Sequence, residues 1–163
     1  MMEAEIAAVR AAGLAGVVLG ASLPDGRLDV AVLQRLVAAS DGLETVLHRC
    51  IDLAPDMGVA LEDAVGLGFD RILTSGGETT AEAGAARIAA LVAQAAGRIT
   101  VMPGSGVNPS NATLLKGLGI TEIHASCSTS LPLRGRVVDM GFAPPVRRQT
   151  DAEAVRALRA ALV

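Results

Sequence analysis

Short runs of β-branched and aliphatic residues alternate along the chain with Ala- and Leu-rich stretches whose apolar residues recur at helical spacing. The runs return at intervals of roughly 25 residues, which is typical of repeated βα units and a parallel sheet. Each run is almost entirely apolar, as expected of a strand that is covered on both faces. Five strands are predicted, at Gly16–Ala21, Leu43–His48, Arg71–Ser75, Arg98–Met102 and Glu122–Ala125.

Capping residues mark the predicted helix boundaries between these strands. The starts are predicted at Asp29, at Thr79 with Glu82, at Asn108 before Pro109, and at Thr150 with Glu153. Glycines near the helix-to-strand turns supply the positive φ that ends a helix at little cost, and they are Gly42, Gly68, Gly97 and Gly119. Helices are also predicted at Glu3–Ala12 and Asp151–Val163, the second after a long connection from Cys127 to Gln149.

This order of elements predicts one α/β domain over residues 1–163, because no linker or change in composition divides the chain. Two architectures remain open at this point. Five parallel strands with flanking helices fit a doubly wound, flavodoxin-like sheet. They equally fit part of an eight-stranded (β/α) barrel, which usually needs about 250 residues.

Charge and composition exclude several classes of partner. The chain has 14 Lys+Arg against 17 Asp+Glu, a net charge of −3, which argues against binding to nucleic acid or to an anionic membrane. The longest uncharged apolar run, Ala11–Leu23, is too short and too glycine-rich to span a bilayer. Cys50 and Cys127 lie far apart and form no metal or disulfide motif, so reduced thiols in a cytoplasmic protein are expected.

Polar residues gather where four of the predicted strands end, and this edge is the functional face of parallel α/β folds. In Gly104-Ser105-Gly106, followed by a helix that starts at Asn108, backbone N–H groups and the helix N-terminus favour an anion. A tight strand-to-helix turn would use the same glycines. The candidate contacts to a small anionic ligand are Arg49, Thr74, Ser75, Gly76, Gly104, Ser105, Gly106, Asn108 and Ser126. Further arginines in the C-terminal connection either add to such a site or are simply solvated, and they are Arg134, Arg136, Arg147 and Arg148.

Acid–base and metal chemistry are also possible at these strand ends. His48 and Asp52 are candidate catalytic residues, since the carboxylate could orient the imidazole or exchange a proton with it. The candidate metal ligands are His48, Cys50, His124 and Cys127, an N/S set that suits Cu(I) or Zn(II) if the sheet curls. Alternatively, His48 bonds the backbone and Cys50 is a small buried apolar residue.

Several of these strings resemble the CutC copper homeostasis family. Leu47 to Asp52, Leu-Thr-Ser-Gly at Leu73–Gly76, the glycine loop Gly104–Val107 with Asn111, and Glu122 to Ser126 follow the family's order and spacing. Cys50 and Ile51 differ from the Ala and Phe that are usual in the family. The resemblance implies a TIM-type barrel, a cytoplasmic and oligomeric protein, and a role in copper binding and handling.

The same resemblance implies that the chain is N-terminally truncated relative to the family, which carries three further strands before the helix at Glu3–Ala12. The strands Gly16–Ala21 and Glu122–Ala125 are then expected to be open edges, covered by the missing units or by another copy. The alternative function is that of a phosphate-binding barrel enzyme, such as an aldolase or isomerase acting on a small phosphorylated metabolite. Lys116, the only lysine, lies in a predicted helix and offers no Schiff base at a strand end.

Overall fold

The computed structural model describes residues 2–162 and confirms the α/β class, with a parallel sheet and flanking helices. Four strands form one open sheet in sequential order. Leu19, Leu47, Ile72 and Val101 are aligned across it by the strand register, and all four are buried. The strands are β1 (Gly16–Leu19), β2 (Glu44–Leu47), β3 (Arg71–Thr74) and β4 (Thr100–Pro103).

Helices precede the sheet, connect its strands and follow it. Each helix that follows a strand or connects two strands of the sheet buries an aliphatic side chain against it. Leu33, Leu61, Ile88 and Leu115 are completely buried, one in each of four successive helices. The helices are α1 (Met2–Ala11), α2 (Val30–Ala39), α3 (Met57–Leu67), α4 (Ala85–Ala95) and α5 (Pro109–Lys116), with a 3₁₀ helix at Arg49–Leu53. This apolar layer holds the strand ends, and therefore the loops that follow them, in fixed positions.

Most of the predicted turn chemistry is confirmed. Asp29 caps α2 by accepting a hydrogen bond from the backbone N–H of Val32 (3.0 Å). The four helix-ending glycines all have φ between +76° and +83°. The helix start at Thr79 is wrong, since α4 begins at Ala85. Backbone groups of residues 79 and 81 bond Ser105 in the next loop instead of forming a helical turn.

The fifth predicted strand, Glu122–Ala125, is wrong as a regular strand. One backbone hydrogen bond joins this segment to β4, from the N–H of His124 to the carbonyl of Pro103 (2.9 Å). A side-chain ion pair between Arg71 and Glu122 (2.6 Å) holds its beginning. A single backbone bond does not make a ladder, and no other strand pairs with this segment within residues 2–162.

The long connection predicted between Cys127 and Gln149 contains regular secondary structure. It contains an antiparallel hairpin of β5 (Ser128–Pro132) and β6 (Val146–Thr150), with the short helix α6 (Arg136–Asp139) between its strands. We call residues 128–150 the arm. The last helix, α7 (Ala152–Leu162), packs against α5, and Asp151 rather than Thr150 caps it. Val163, the predicted end of that helix, lies outside the described residues.

None of the helices in the described part of the chain has the length and apolar character needed to cross a membrane. The prediction of one domain over residues 1–163 stays a prediction.

Candidate ligand cavity at the strand ends

A cavity of about 460 Å³ opens where β4 and the segment after it end. Three parts of the chain line it: the β4–α5 loop, residues 124–128, and the base of the arm with the start of α7. Its lining residues are Ser105, Gly106, Val107, Asn108, Pro109, His124, Ala125, Ser126, Cys127, Ser128, Arg148 and Ala154. Three of the predicted anion contacts from the β4–α5 loop and Ser126 therefore share one cavity with His124 and Cys127.

The β4–α5 loop presents backbone N–H groups to this cavity. Ser105 and Gly106 both have left-handed backbones, with φ of +78° and +72°. Within residues 2–162, the N–H groups of Ser105, Gly106 and Val107 have no hydrogen-bond partner. Consecutive amides left unpaired in a turn form a concave donor surface that suits an anion. The loop therefore has the donor arrangement that its glycines predict.

Gly104 comes directly before this loop and is buried. A Cβ atom added there would lie 2.6 Å from Leu73 and 3.5 Å from the Cβ of His124. The missing side chain therefore allows the 122–125 segment to approach β4 closely. It is this approach that carries His124 to the cavity.

Side chains at the start of α5 accept hydrogen bonds from some of the N–H groups at the same helix end. The Asn108 side chain accepts from the N–H of Ser110 (2.9 Å), and the Asn111 side chain accepts from the N–H of Asn108 (3.0 Å). Both side chains also donate to the carbonyl of Gly106. These bonds fix the orientation of the loop at the helix N-terminus, so Asn108 acts mainly on the shape of the cavity.

The cavity wall carries basic side chains and no carboxylates among its described residues. Arg148 and His124 line it, and no Asp or Glu is among the described lining residues. Arg148 comes from β6 and adds a guanidinium group to the residues that line the cavity. The arrangement favours an anionic ligand or one that binds to nitrogen and sulfur donors.

Asp52 lies outside the cavity, where it ties together the loops after β2 and β3. Its carboxylate accepts hydrogen bonds from the Thr74 hydroxyl (2.5 Å), Arg49 Nε (2.7 Å), and the backbone N–H groups of Ser75 and Gly77 (3.1 Å each). Burial opposes ionisation of this side chain, but these donors outweigh it and lower the pKa of Asp52. A carboxylate so fully bonded and so acidic is poorly suited to proton transfer near neutral pH.

The Asp52 network reaches the cavity through a chain of loop contacts. Arg49 also donates to the Ser75 hydroxyl (2.5 Å), which fixes the start of the loop that leads to α4. Further along this loop, the Ser105 hydroxyl donates to the carbonyl of Thr79 (2.8 Å), and the N–H of Ala81 donates to the carbonyl of Ser105 (2.9 Å). Arg49, Thr74, Ser75 and Gly76 thus position the β4–α5 loop without lining the cavity.

His48 lies apart from the cavity, at the β1 side of the sheet. Its Nδ1 accepts from the N–H of Cys50 (3.1 Å), and its ring lies against Gly20, where an added Cβ would fall 2.0 Å from Cε1. Asp52 makes no hydrogen bond to His48. The 3₁₀ helix buries Cys50, and burial raises the pKa of the Cys50 thiol.

The four predicted metal ligands are therefore not gathered into one set. Two strands, β3 and β4, lie between β2, which ends at His48, and the segment that carries His124. Three strand spacings amount to roughly 14 Å along a sheet, far beyond the span of one metal centre. Among the described residues, no three His, Cys, Asp or Glu side chains are grouped to hold a metal ion. His124 and Cys127 share the cavity, whereas His48 and Cys50 do not line it.

Sequence reasoning missed the part of the wall that comes from the arm. Ser128 and Arg148 line the cavity because β5 and β6 pair and return the chain to its mouth. The sequence offers Arg148 only as one of four arginines that either add to an anion site or are solvated, because a hairpin whose strands are separated by 13 residues gives no local turn signal. The excess of arginine over acid in this connection was the one available signal.

Comparison with known proteins gives a consistent result. The model of the CutC family matches residues 1–129. A CutC family protein of Sinorhizobium medicae (strain WSM419) is 55% identical over 164 residues, which cover 99% of this chain and 67% of that protein. One of Caulobacter vibrioides (strain NA1000 / CB15N) is 49% identical over 98% of this chain and 68% of its own length. The chain thus spans about two thirds of the length of these relatives.

Solved structures agree on the fold. The crystal structure of CutC from Streptococcus agalactiae, named for copper homeostasis, has a TM-score of 0.71 and 29% identity over 75% of this chain and 60% of that one. The native KDPGal structure has a TM-score of 0.58 over 98% of this chain and 66% of that one, at 18% identity. At that level of identity, only the fold is shared.

Proposed function

Because this chain belongs to the CutC family, we propose that it takes part in copper homeostasis by binding Cu(I) as its cargo, with His124 and Cys127 as the donors. The observation that carries the proposal is that His124 and Cys127, which carry an imidazole and a thiol, both line the same cavity. Thiolate and imidazole are the side chains that suit copper ions, and Cu(I) accepts as few as two donors in a linear arrangement.

The positions of the two cysteines support this choice of donors. Cys127 is half-buried at the cavity wall, whereas Cys50 is only 7% exposed. Burial raises the pKa of the Cys50 thiol and so disfavours its thiolate, which is the form that binds metal. The proposal includes a cytoplasmic location, where reducing conditions keep Cys127 available as a thiol.

Anaerobic Cu(I) titration against a chromogenic competitor tests the proposal. Loss of an outer-sphere partner alone costs ~10–100-fold in metal affinity, so loss of the thiolate in C127S is expected to cost about 100-fold or more. The matched control C50S removes the other cysteine and should leave the affinity within about threefold of wild type. Equal affinity for wild type and C127S, or an equal loss in C50S, would contradict the proposed donors.

A second candidate function is the binding of a small anionic ligand in the same cavity. Three unpaired loop amides, Arg148 and the absence of Asp or Glu from the described lining residues favour it. The alternative of a phosphate-binding barrel enzyme, such as an aldolase or isomerase, is not favoured, because the family comparisons identify CutC. In addition, the lysine side chain of Lys116 bonds the carbonyl of Leu162, away from the cavity.

Isothermal titration with inorganic phosphate separates this candidate from copper binding. We expect weak, salt-sensitive binding that Arg148→Gln reduces by about tenfold, in line with loss of one charge-assisted contact. Arg134→Gln, which changes a charge of the arm away from the cavity, is the matched control and should leave phosphate affinity unchanged. Identical binding by R148Q and wild type would remove the anion candidate and leave the copper proposal intact.

A further inference from the structure

The wall of the cavity suits an anion, whereas the copper ion proposed to bind there is a cation. Arg148 lines the same cavity as the two proposed donors, and a guanidinium group repels a metal ion. No Asp or Glu is among the described lining residues to offset that charge. The N–H groups of Ser105, Gly106 and Val107 have no partner within residues 2–162 and also favour negative charge. A bare Cu(I) ion therefore gains nothing from this basic part of the wall.

The cavity is also larger than a metal ion requires. Its volume of about 460 Å³ lies within the range of roughly 300–1,000 Å³ that is usual for pockets that bind small molecules. His124 and Arg148 are both exposed, so a molecule can reach them from solvent. An ion bound between His124 and Cys127 fills only a small part of this space, which leaves room for an organic ligand.

The wall supplies few of the soft donors that Cu(I) prefers. His124 and Cys127 are the only described lining residues with a nitrogen or sulfur atom suited to copper. Within residues 2–162, no three His, Cys, Asp or Glu side chains are grouped to hold the ion. Cu(I) accepts a third donor, and thiolate sulfur is among its preferred ligands. A third donor for the ion therefore has to come from a bound molecule.

We propose, building on Cu(I) binding by His124 and Cys127, that the cavity takes copper as an anionic complex with a small thiol that carries a carboxylate. The thiolate of this molecule is the third donor to copper. Its carboxylate accepts hydrogen bonds from the amides of the β4–α5 loop and pairs with Arg148, which gives the basic part of the wall its role. Because Arg148 lies in β6, the arm takes part in selecting the cargo.

Binding of this cargo is a ligand exchange in which copper stays Cu(I). Two small thiolates on one Cu(I) ion give a complex with a charge of −1 at the metal. Cys127 replaces one of them: its sulfur bonds to copper, the bond to the departing thiolate breaks, and the proton of the Cys127 thiol leaves on that thiolate. The second small thiolate stays bound, and His124 adds its ring nitrogen. No electron is transferred, so neither an oxidant nor a reductant is needed.

Anaerobic equilibrium dialysis with mercaptopropionate and mercaptopropanol tests the proposal, because these thiols are similar in size and only the first carries a carboxylate. Copper-loaded wild type should bind mercaptopropionate about tenfold more tightly than mercaptopropanol, the effect of one charge-assisted contact. Copper-free protein should bind either thiol about tenfold or more weakly than the loaded protein does, since the bond from sulfur to copper is missing. R148Q should keep its copper and lose the preference for the carboxylate.

The matched control is R134Q, which removes an exposed arginine of the arm that does not line the cavity and should keep the preference. Copper retained in the absence of any thiol reports on the copper-binding function itself, so the two proposals can fail separately. Equal affinity for the two thiols, an unchanged preference in R148Q, or removal of the bound copper by the thiols would each overturn this cargo and leave copper binding in place. Failure of wild type to retain copper under every condition would overturn both.

Discussion

Replacing Asp52 by alanine should lower the free energy of unfolding by about 3 kcal/mol, because the change leaves several buried donors unpaired. Thr74 and Ser75 are completely buried, and Asp52 accepts hydrogen bonds from both of their hydroxyl groups and from the N–H of Ser75. The Arg49 side chain is 41% exposed, so its guanidinium group can be hydrated and adds less to the loss. Urea denaturation at neutral pH measures the difference.

The matched control is D56A, which removes a carboxylate of the same type from the N-cap of α3. Asp56 accepts only from the exposed N–H groups of Gly58 and Val59, so its loss should cost about 1 kcal/mol. A loss in D52A no larger than that in D56A would contradict the role assigned to the Asp52 network.

The pH dependence of stability offers a further check on the same network. The pKa of Asp52 is lowered in the folded protein, so ionised Asp52 stabilises the fold fully above its unfolded pKa, near 3.9. That contribution is lost as the pH falls through the lower folded pKa. Wild type should therefore lose more stability than D52N on acidification below about pH 4.

Replacing Gly84 by alanine should be at least as damaging, by about 3 kcal/mol or more, because overpacking against backbone cannot relax through a side chain. A Cβ at Gly84 would lie 1.9 Å from the carbonyl oxygen of Ser75 and 2.9 Å from the Cα of Gly76. Either α4 or the loop after β3 must move to accept it. The predicted result is a large fall in melting temperature.

Gly66 provides the matched control for this substitution. It lies inside α3, and a Cβ there meets nothing within 4 Å. G66A should therefore raise stability by about 0.5–1 kcal/mol, the usual difference between alanine and glycine in a helix. Equal effects of G84A and G66A would contradict the close approach of α4 to the β3 loop.

The parallel sheet could be predicted from the sequence because each strand is an apolar run that ends in turn chemistry. Asp29 and the glycine at position 68 act locally, so their roles follow from their neighbours in the chain. Glu122–Ala125 has the composition of a strand, but pairing depends on what lies beside it in space. Similarly, Thr79 and Glu82 have the spacing of a capping box, but contacts to Ser105 compete for that segment.

The candidate site was only partly predictable for the same reason. Ser105, Gly106 and Asn108 belong to one continuous loop and all line the cavity, so their grouping follows from local sequence. The grouping of His48 with His124 assumed a curvature of the sheet that residue spacing does not determine. The contribution of Arg148 depends on a hairpin closed by pairing between β5 and β6, and no nearby residue signals that pairing.

The central claim is that His124 and Cys127 together bind Cu(I), and X-ray absorption spectroscopy of the copper-loaded protein tests it most directly. The predicted spectrum is that of Cu(I) with one sulfur and one imidazole nitrogen in its first shell, with the sulfur absent in C127S and retained in C50S. A first shell that keeps its sulfur in C127S, or that lacks imidazole nitrogen in wild type, would contradict the account.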